Sequence, residues 1–350
     1  MTSPSVLIYG ATGYTGQLVA AHAKDLGLPV VIAGRNLGKT KSLAEKLGLP
    51  WAAFALTDTQ RLDAAVAAAH TVLHLAGPFS ATAQPMVEAC LRHGRHYLDI
   101  TGEIDVFEYC ASRGAEARAK GIMLMPGVGF DVVPSDCMAQ HMRTRLPDAR
   151  RLTLAISGMG KASRGTAKTM VESLGQGTKV RRGGQIVALP RAPMRNVDFG
   201  DGPKPCVGVS WGDVATAWHA TAIPDIEVYF EAQGPVKRLA SMGALMRWLG
   251  RQRWVQSLLK RQIDRMPEGP TPEERANTTH IIVAEASNAS GRTVTSRLRT
   301  MEGYSLTRET AVAIAARVLS GQFKPGFQTP SLAFGADFVL GFAKSERIDL

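Results

Sequence analysis

Long apolar runs are missing from this chain of 350 residues. No segment approaches the roughly 20 consecutive apolar residues that a bilayer-spanning helix needs, so no membrane-spanning helix is expected. Cysteine is scarce as well. Cys90, Cys110, Cys137 and Cys206 stand far apart and form neither a CxxC pair nor a Cys/His ligand spacing. A disulfide framework and a zinc site are therefore set aside, no metal site is expected, and a reducing compartment is the simpler home. The chain enters the apolar stretch Val6-Leu7-Ile8-Tyr9 almost at once, without a basic leader region, which reads as cytoplasmic. Acidic residues are in deficit, 30 Asp+Glu against 41 Lys+Arg, for a net charge of +11. That balance favours anionic partners such as phosphorylated cofactors, acidic carrier proteins or membrane faces. Nucleic acid is the weakest of the anionic choices, because no recognised binding motif accompanies the charge.

What is present fits a globular enzyme. Hydrophobic residues make up 45% and charged residues 20%, a profile unlike that of a disordered or fibrous chain. At roughly 100 to 200 residues per domain, the length predicts about two domains. Short apolar runs recur at 6–9, 30–33, 52–55, 72–75, 97–100 and 122–125, separated by helix-length stretches. This rhythm predicts a parallel sheet with crossover helices. Beyond Pro134 it changes: 152–156, 207–210, 226–231, 279–286 and 293–300 read as strands with few helices between them, and 288–291 as a hairpin connection. The fold class is α/β, a Rossmann-type doubly wound parallel sheet over residues 1–132 followed by a second α+β domain, 133–324, on a mixed or antiparallel sheet. Residues 306–319 read as a helix, broken by the glycines and proline of 321–326.

The strongest signal is Gly10-Ala11-Thr12-Gly13-Tyr14-Thr15-Gly16, directly after the first strand and opening the first helix. Gly10 permits a tight turn, Gly13 lets the backbone approach a pyrophosphate, and Gly16 allows close helix–strand packing, while helix N-terminal amides hold the phosphates. The end of the second strand selects the dinucleotide. An NAD site places Asp or Glu there for the ribose hydroxyls; this chain reads Ala33-Gly34-Arg35-Asn36. Arg35 can fork onto a 2′-phosphate and stack on adenine, with Asn36 adding a donor and Lys39 positive field, so NADP(H) is the expected cofactor.

Two further strand ends should frame the nicotinamide half, since ligands of such sheets collect outside the carboxyl ends of the strands. In 76–79, Gly77 admits a close ribose or ring, Pro78 fixes the turn, and Phe79 is either a wall for the nicotinamide or a core aromatic. In 99–103, Asp99 and Glu103 read as helix caps ahead of acid/base groups. The loop 126–136 packs two glycines, two prolines and two aspartates into eleven residues; Asp136 reads as a helix N-cap, and Asp131 stays open as a functional candidate.

Together the segments GATGYTG, AGRN, AGPF, YLDITGE and PGVGFDVVPSD, in that order, resemble the saccharopine dehydrogenase-like oxidoreductases. Later segments, 163–167, 211–217, 223–229 and 326–330, are similar to the branch of that group related to trans-acting enoyl reductases. The resemblance implies a Rossmann domain binding NADP(H), a second domain for substrate and homodimer contacts, and a C-terminal segment, 325–350, that returns to the first domain. It leaves the substrate open between an imine and an enoyl thioester.

A reductase of this kind needs a proton partner, and the candidates are Tyr97, Asp131, His219 and Tyr229. No GxSxG elbow supports a hydrolytic triad. Residues 235–265 carry eight Lys or Arg against one Asp, with apolar residues returning at helical intervals. This basic amphipathic helix suits an acidic acyl-carrier domain, an anionic membrane, or ordinary packing over a cleft or dimer face. Two alternatives to a reductase are a non-catalytic NADP(H)-binding sensor and a peripheral membrane or carrier-binding protein on a Rossmann scaffold.

Overall fold

In a computed structural model, which describes residues 5–158, 160–172, 177–232, 249–250 and 252–350, the chain forms two compact units. The first comprises residues 1–133 and 303–333, the second 134–302 and 334–350.

The first unit is built on β1 (Val6–Tyr9), β2 (Val30–Gly34), β3 (Trp51–Ala53), β4 (Thr71–His74), β5 (His96–Asp99) and β6 (Met123–Met125). Every residue of β1, β4, β5 and β6 is buried, as expected of a parallel sheet covered on both faces. The order is β3-β2-β1-β4-β5-β6, all parallel, with β15 (Gly326–Phe327) added beside β6. Alternation along each strand divides the side chains. Leu7, Tyr9, Val72, Tyr97 and Leu124 share a core with Leu62 and Val66 of the helix Thr59–Ala68 and Met86, Val87 and Cys90 of the helix Phe79–His93. The opposite face meets the helices Tyr14–Asp25 and Gly303–Leu319.

The last of these corrects the expected boundaries. The helix Gly303–Leu319 and residues up to 333 belong to the first unit and not to the second. Leu306, Ala311, Ile314, Ala315 and Val318 are buried, and the Thr310 hydroxyl donates to the Val128 carbonyl at 2.8 Å. The tail 325–350 divides: β15 joins the first sheet, whereas residues 334–350 go to the second unit, where β16 (Glu346–Asp349) pairs with β14. The helix Val133–Arg145 starts three residues before Asp136, which therefore sits in its first turn and is not its N-cap.

The second unit carries β7 (Arg151–Ser157), β8 (Thr178–Arg182), β9 (Gln185–Leu189), β10 (Met194–Asp198), β11 (Pro203–Gly208), β12 (Asp225–Glu231), β13 (Thr279–Ser287) and β14 (Thr293–Met301). They run in the order β10-β11-β12-β7-β13-β14-β16, with β8 and β9 attached at β12. Among the described strands only the β7–β12 pairing is parallel, so the sheet is mixed. One face presents Leu154, Ile156, Val228, Ile282, Ala284 and Leu298, all buried. The other carries Thr153, Ala155, Tyr229, Val283 and the ion pair Arg195–Glu285 at 3.2 Å. The connection at 288–291 is a hairpin loop in which Asn288 Oδ1 accepts from the Arg292 amide at 2.9 Å. The four cysteines are buried free thiols. Of the basic stretch 235–265, the helix Arg253–Ile263 is described; residues 235–248 and 251 lie outside the described residues. No helix among the described residues is long and apolar enough to cross a membrane.

Candidate functional site

The strand order reverses between β1 and β4, which makes the loops after these strands the rim of a ligand crevice. Gly10 leaves β1 with φ +90°, a conformation a side chain resists, and its amide donates to Ala33 at 2.8 Å. A Cβ there would stand 2.7 Å from the Ala76 amide nitrogen of the loop after β4. At Gly16 a Cβ would come within 2.3 Å of the Gly10 carbonyl oxygen, so the helix Tyr14–Asp25 sits as close to the turn as a glycine allows. Gly13 differs: it is exposed, and its nearest neighbour would be 3.5 Å away. That leaves room for a phosphate over bare backbone.

The helix Tyr14–Asp25 has no capping side chain and no acid in its first turn, so its positive end is available to an anion. Thr12 and Thr15 are half-buried at this turn, and the Tyr14 ring stands edge-on to Tyr304 at 5.1 Å. Thr12 Oγ1 would be 3.7 Å from a Cβ at Gly34, which joins the glycine turn to the end of β2. There Arg35 is exposed and makes no ion pair among the described residues. Asn36 Oδ1 caps the helix Leu37–Leu47 by accepting from the Lys39 amide at 2.9 Å, leaving its NH2 as the donor. The residues fit a 2′-phosphorylated dinucleotide: a cradle too narrow for side chains, an uncapped helix end, and a guanidinium where an acid would select NAD.

Arg35→Ala is expected to weaken NADPH binding by roughly 10- to 100-fold, the loss of charge-assisted hydrogen bonds of about 1.5 to 3 kcal/mol, with NADH affinity little changed. Isothermal titration with both nucleotides checks this; equal losses for the two would contradict the assignment.

Across the switch point, the cis-linked Gly77–Pro78 turn leads into the helix Phe79–His93. The Phe79 ring packs as a core aromatic, edge-on to His74 at 5.4 Å, with one edge beside Gly77. Beneath the turn the Thr82 hydroxyl donates to the Ala76 and Pro78 carbonyls, at 2.6 and 3.0 Å. With that proton committed, Thr82 Oγ1 accepts from His74 Nε2–H at 3.0 Å. Burial holds His74 neutral, pushed down to about 3. His74 and Thr82 carry no motif that would have marked them in the sequence.

Neither Asp99 nor Glu103 caps the helix Ile104–Ser112 that follows them, the role their positions suggested; each is spent elsewhere. Fully buried Asp99 accepts from the Thr101 and Gly127 amides, both at 2.9 Å, and from the Tyr97 hydroxyl at 2.6 Å. Its acidity is pushed up to about 7 by burial, against these three hydrogen bonds. Glu103 caps the helix Phe79–His93, accepting from the Phe79 and Ser80 amides at 2.8 and 2.7 Å.

The four proton candidates separate. Tyr97 is buried in the first unit with its hydroxyl given to Asp99. Asp131 is half-buried beside Gly102, its Oδ2 3.2 Å from where a Cβ would be, and burial pushes its carboxyl up to about 7. His219 lies half-buried on the helix Asp213–Thr221 of the second unit, and Tyr229 is buried on β12 with its hydroxyl donated to Glu227. Of the four, only Asp131 stands with the strand-end turns described above.

Residues 6–125 match the family model of the saccharopine dehydrogenase NADP-binding domain. Among curated relatives, a trans-acting enoyl reductase of Mycobacterium bovis (strain BCG / Pasteur 1173P2) is 33% identical over 152 residues, 40% of this chain and 35% of that protein. A saccharopine dehydrogenase-like oxidoreductase of Mus musculus is 29% identical over 161 residues, 40% of this chain and 38% of that one. The chain thus spans little more than a third of the length of these relatives. Apo saccharopine dehydrogenase (L-Glu forming) from Saccharomyces cerevisiae shares the fold over 99% of this chain and 100% of its own, with a TM-score of 0.65 at 13% identity. A glycine cradle, a basic reader and a matching domain agree: residues 6–125 are similar to the NADP-binding domain of saccharopine dehydrogenase, and the nucleotide this domain fits is NADP(H).

Proposed function

We propose that the protein is an NADPH-dependent reductase of a C=C bond in an enoyl thioester or a C=N bond in an imine, with Asp131 as its proton donor. The observation that carries this reading is the half-buried carboxyl of Asp131 beside the Gly102 turn, at the edge of the sheet where ligands collect. NADPH, when bound, supplies the hydride. Arg35 and the 10–16 turn hold the adenosine half, and Asp131 in its acid form gives the one proton that completes the addition, ending as a carboxylate that solvent reprotonates. The relatives named trans-acting enoyl reductase support the enoyl thioester over the imine.

Decay of NADPH absorbance against a panel of enoyl thioesters and cyclic imines tests this, with consumption expected for at least one class. Tight NADPH binding with no consumption across the panel would favour the non-catalytic sensor instead.

A second observation bears on partners. Trp254 and Leu258, one turn apart on the helix Arg253–Ile263, are 65% and 52% exposed beside Lys260 and Arg261. An apolar stripe bordered by cations suits an acidic carrier domain or an anionic membrane, and sedimentation with anionic vesicles or with a carrier protein separates the two.

A further inference from the structure

The turn 76–80 is held from both sides by groups that never reach the surface of the crevice as reactants. Below it, the Thr82 hydroxyl ties down the Ala76 and Pro78 carbonyls and is itself braced by His74. At its helix end, the Glu103 carboxylate takes the Phe79 and Ser80 amides, one per oxygen. Glu103 is in turn placed by Thr101, whose hydroxyl accepts the Glu103 amide at 3.0 Å, and Thr101 is anchored to buried Asp99. A line of hydrogen bonds therefore runs from Asp99 in the core to the Phe79 and Ser80 amides, just past the exposed glycine at position 77.

This arrangement gives the two helix N-termini at the switch point opposite roles. The helix Tyr14–Asp25 is uncapped and open to phosphate. The first amides of the helix Phe79–His93 are already satisfied by a carboxylate, whose charge repels a second anion at that end. The pyrophosphate is directed to the first helix, and the second serves only to present the 76–78 backbone.

The geometry points to Glu103 as a positioning residue for the nicotinamide half of NADP(H), acting through the 76–80 turn, with Thr82 as its counterpart from below. It touches neither hydride nor proton. The inference depends on the nucleotide and not on which bond is reduced.

The test separates the halves of the cofactor. Titration of the full-length protein with NADPH and with 2′,5′-ADP, which carries only the phosphorylated adenosine half, compares the unaltered chain with Glu103→Gln, Glu103→Ala and Thr82→Val. Glu103→Gln keeps one acceptor and is expected to raise the Kd for NADPH about 5-fold; Glu103→Ala loses two charge-assisted hydrogen bonds and is expected to raise it roughly 30-fold or more. Thr82→Val should fall between them. In all three, the Kd for 2′,5′-ADP should stay within about twofold of the unaltered value, since Arg35 and the 10–16 turn are untouched. Parallel weakening of both ligands would overturn the proposal, because it would mean the cluster supports the unit as a whole. So would NADPH affinity that does not move. Should Glu103→Ala fail to fold, Glu103→Gln and Thr82→Val decide it with the same two ligands. Binding of 2′,5′-ADP to the unaltered protein reports the nucleotide assignment by itself.

Discussion

Gly16→Val is expected to abolish measurable NADPH binding. Even the first carbon of the new side chain would lie 2.3 Å from the Gly10 carbonyl oxygen and 2.8 Å from Ala11 Cα and carbonyl carbon. These are backbone atoms inside a turn that Gly10 and Ala11 tie to Ala33 by hydrogen bonds of 2.8 and 3.2 Å, so no rotamer change relieves the clash. The helix Tyr14–Asp25 must move away from the turn by about an ångström, and the amides that should meet phosphate move with it. A loss of roughly 4 kcal/mol, about a thousandfold in Kd, is the scale expected when a set of oriented charge-assisted contacts is misplaced. Overpacking should also lower stability by about 1 to 3 kcal/mol, measurable in a denaturant titration of the same sample. Calorimetry that found NADPH bound by the valine variant within tenfold of the unaltered protein would show that the cradle is not where the phosphates lie. Gly13→Ala is the informative contrast: its Cβ would find nothing nearer than 3.5 Å, so the fold should tolerate it and only the ligand should object.

Replacing Asp131 by asparagine should remove turnover without removing the cofactor. General acid catalysis contributes typically about a hundredfold to ten-thousandfold, and the Asp131→Asn protein should lose kcat on that scale while its NADPH Kd stays unchanged. The pH profile carries the sign. Burial raises the Asp131 carboxyl from the ordinary aspartate range to about 7, because the interior disfavours the charged form. The group is therefore a competent donor below about 7 and spent above it, and kcat should fall about tenfold per pH unit on the alkaline side. In the asparagine variant that limb should vanish, leaving a flat residual rate. An alkaline limb that persists in Asp131→Asn would assign the proton elsewhere. His219→Asn and Tyr229→Phe, both in the second unit, are then the next variants to measure.

Much of the first unit could be read before any coordinates, because a parallel sheet buried on both faces needs unbroken apolar runs, and β1, β2 and β6 are such runs separated by helix-length segments. The cradle was legible for the same reason: the chemistry demands missing side chains at positions fixed by a strand and a helix. Other features left no such mark. In β8, the buried Arg181 interrupts the apolar pattern; it is satisfied by the Val214 and Gly184 carbonyls at 2.8 and 2.7 Å and by the Trp218 ring at 5.1 Å, partners that only the tertiary fold supplies. β15 and β16 are too short to show a period, and their pairing partners lie far back in the chain. Within the site, Glu103 reads as a cap for the helix that follows it, yet it closes one that begins 24 residues earlier. Phe79 shows the converse. Its position in the sequence admitted a wall or a core aromatic equally, and only the fold supplies the packing against His74 that makes it part of the core.

The route of the chain between its two units has a consequence for what can be transplanted. It passes from one to the other at 133–134, 302–303 and 333–334. The stretch that matches the NADP-binding family, 6–125, therefore falls short of a self-sufficient body: its sheet borrows an outer strand and an entire covering helix from nearly 200 residues downstream. Severed after residue 133, it would leave the Val128 carbonyl without the Thr310 hydroxyl and the Phe130 amide without that of Thr307, along with a bare apolar face. Recombination that exchanged only the N-terminal third of such genes would yield insoluble protein, whereas swaps carrying 303–333 along with it would preserve the nucleotide-binding half intact.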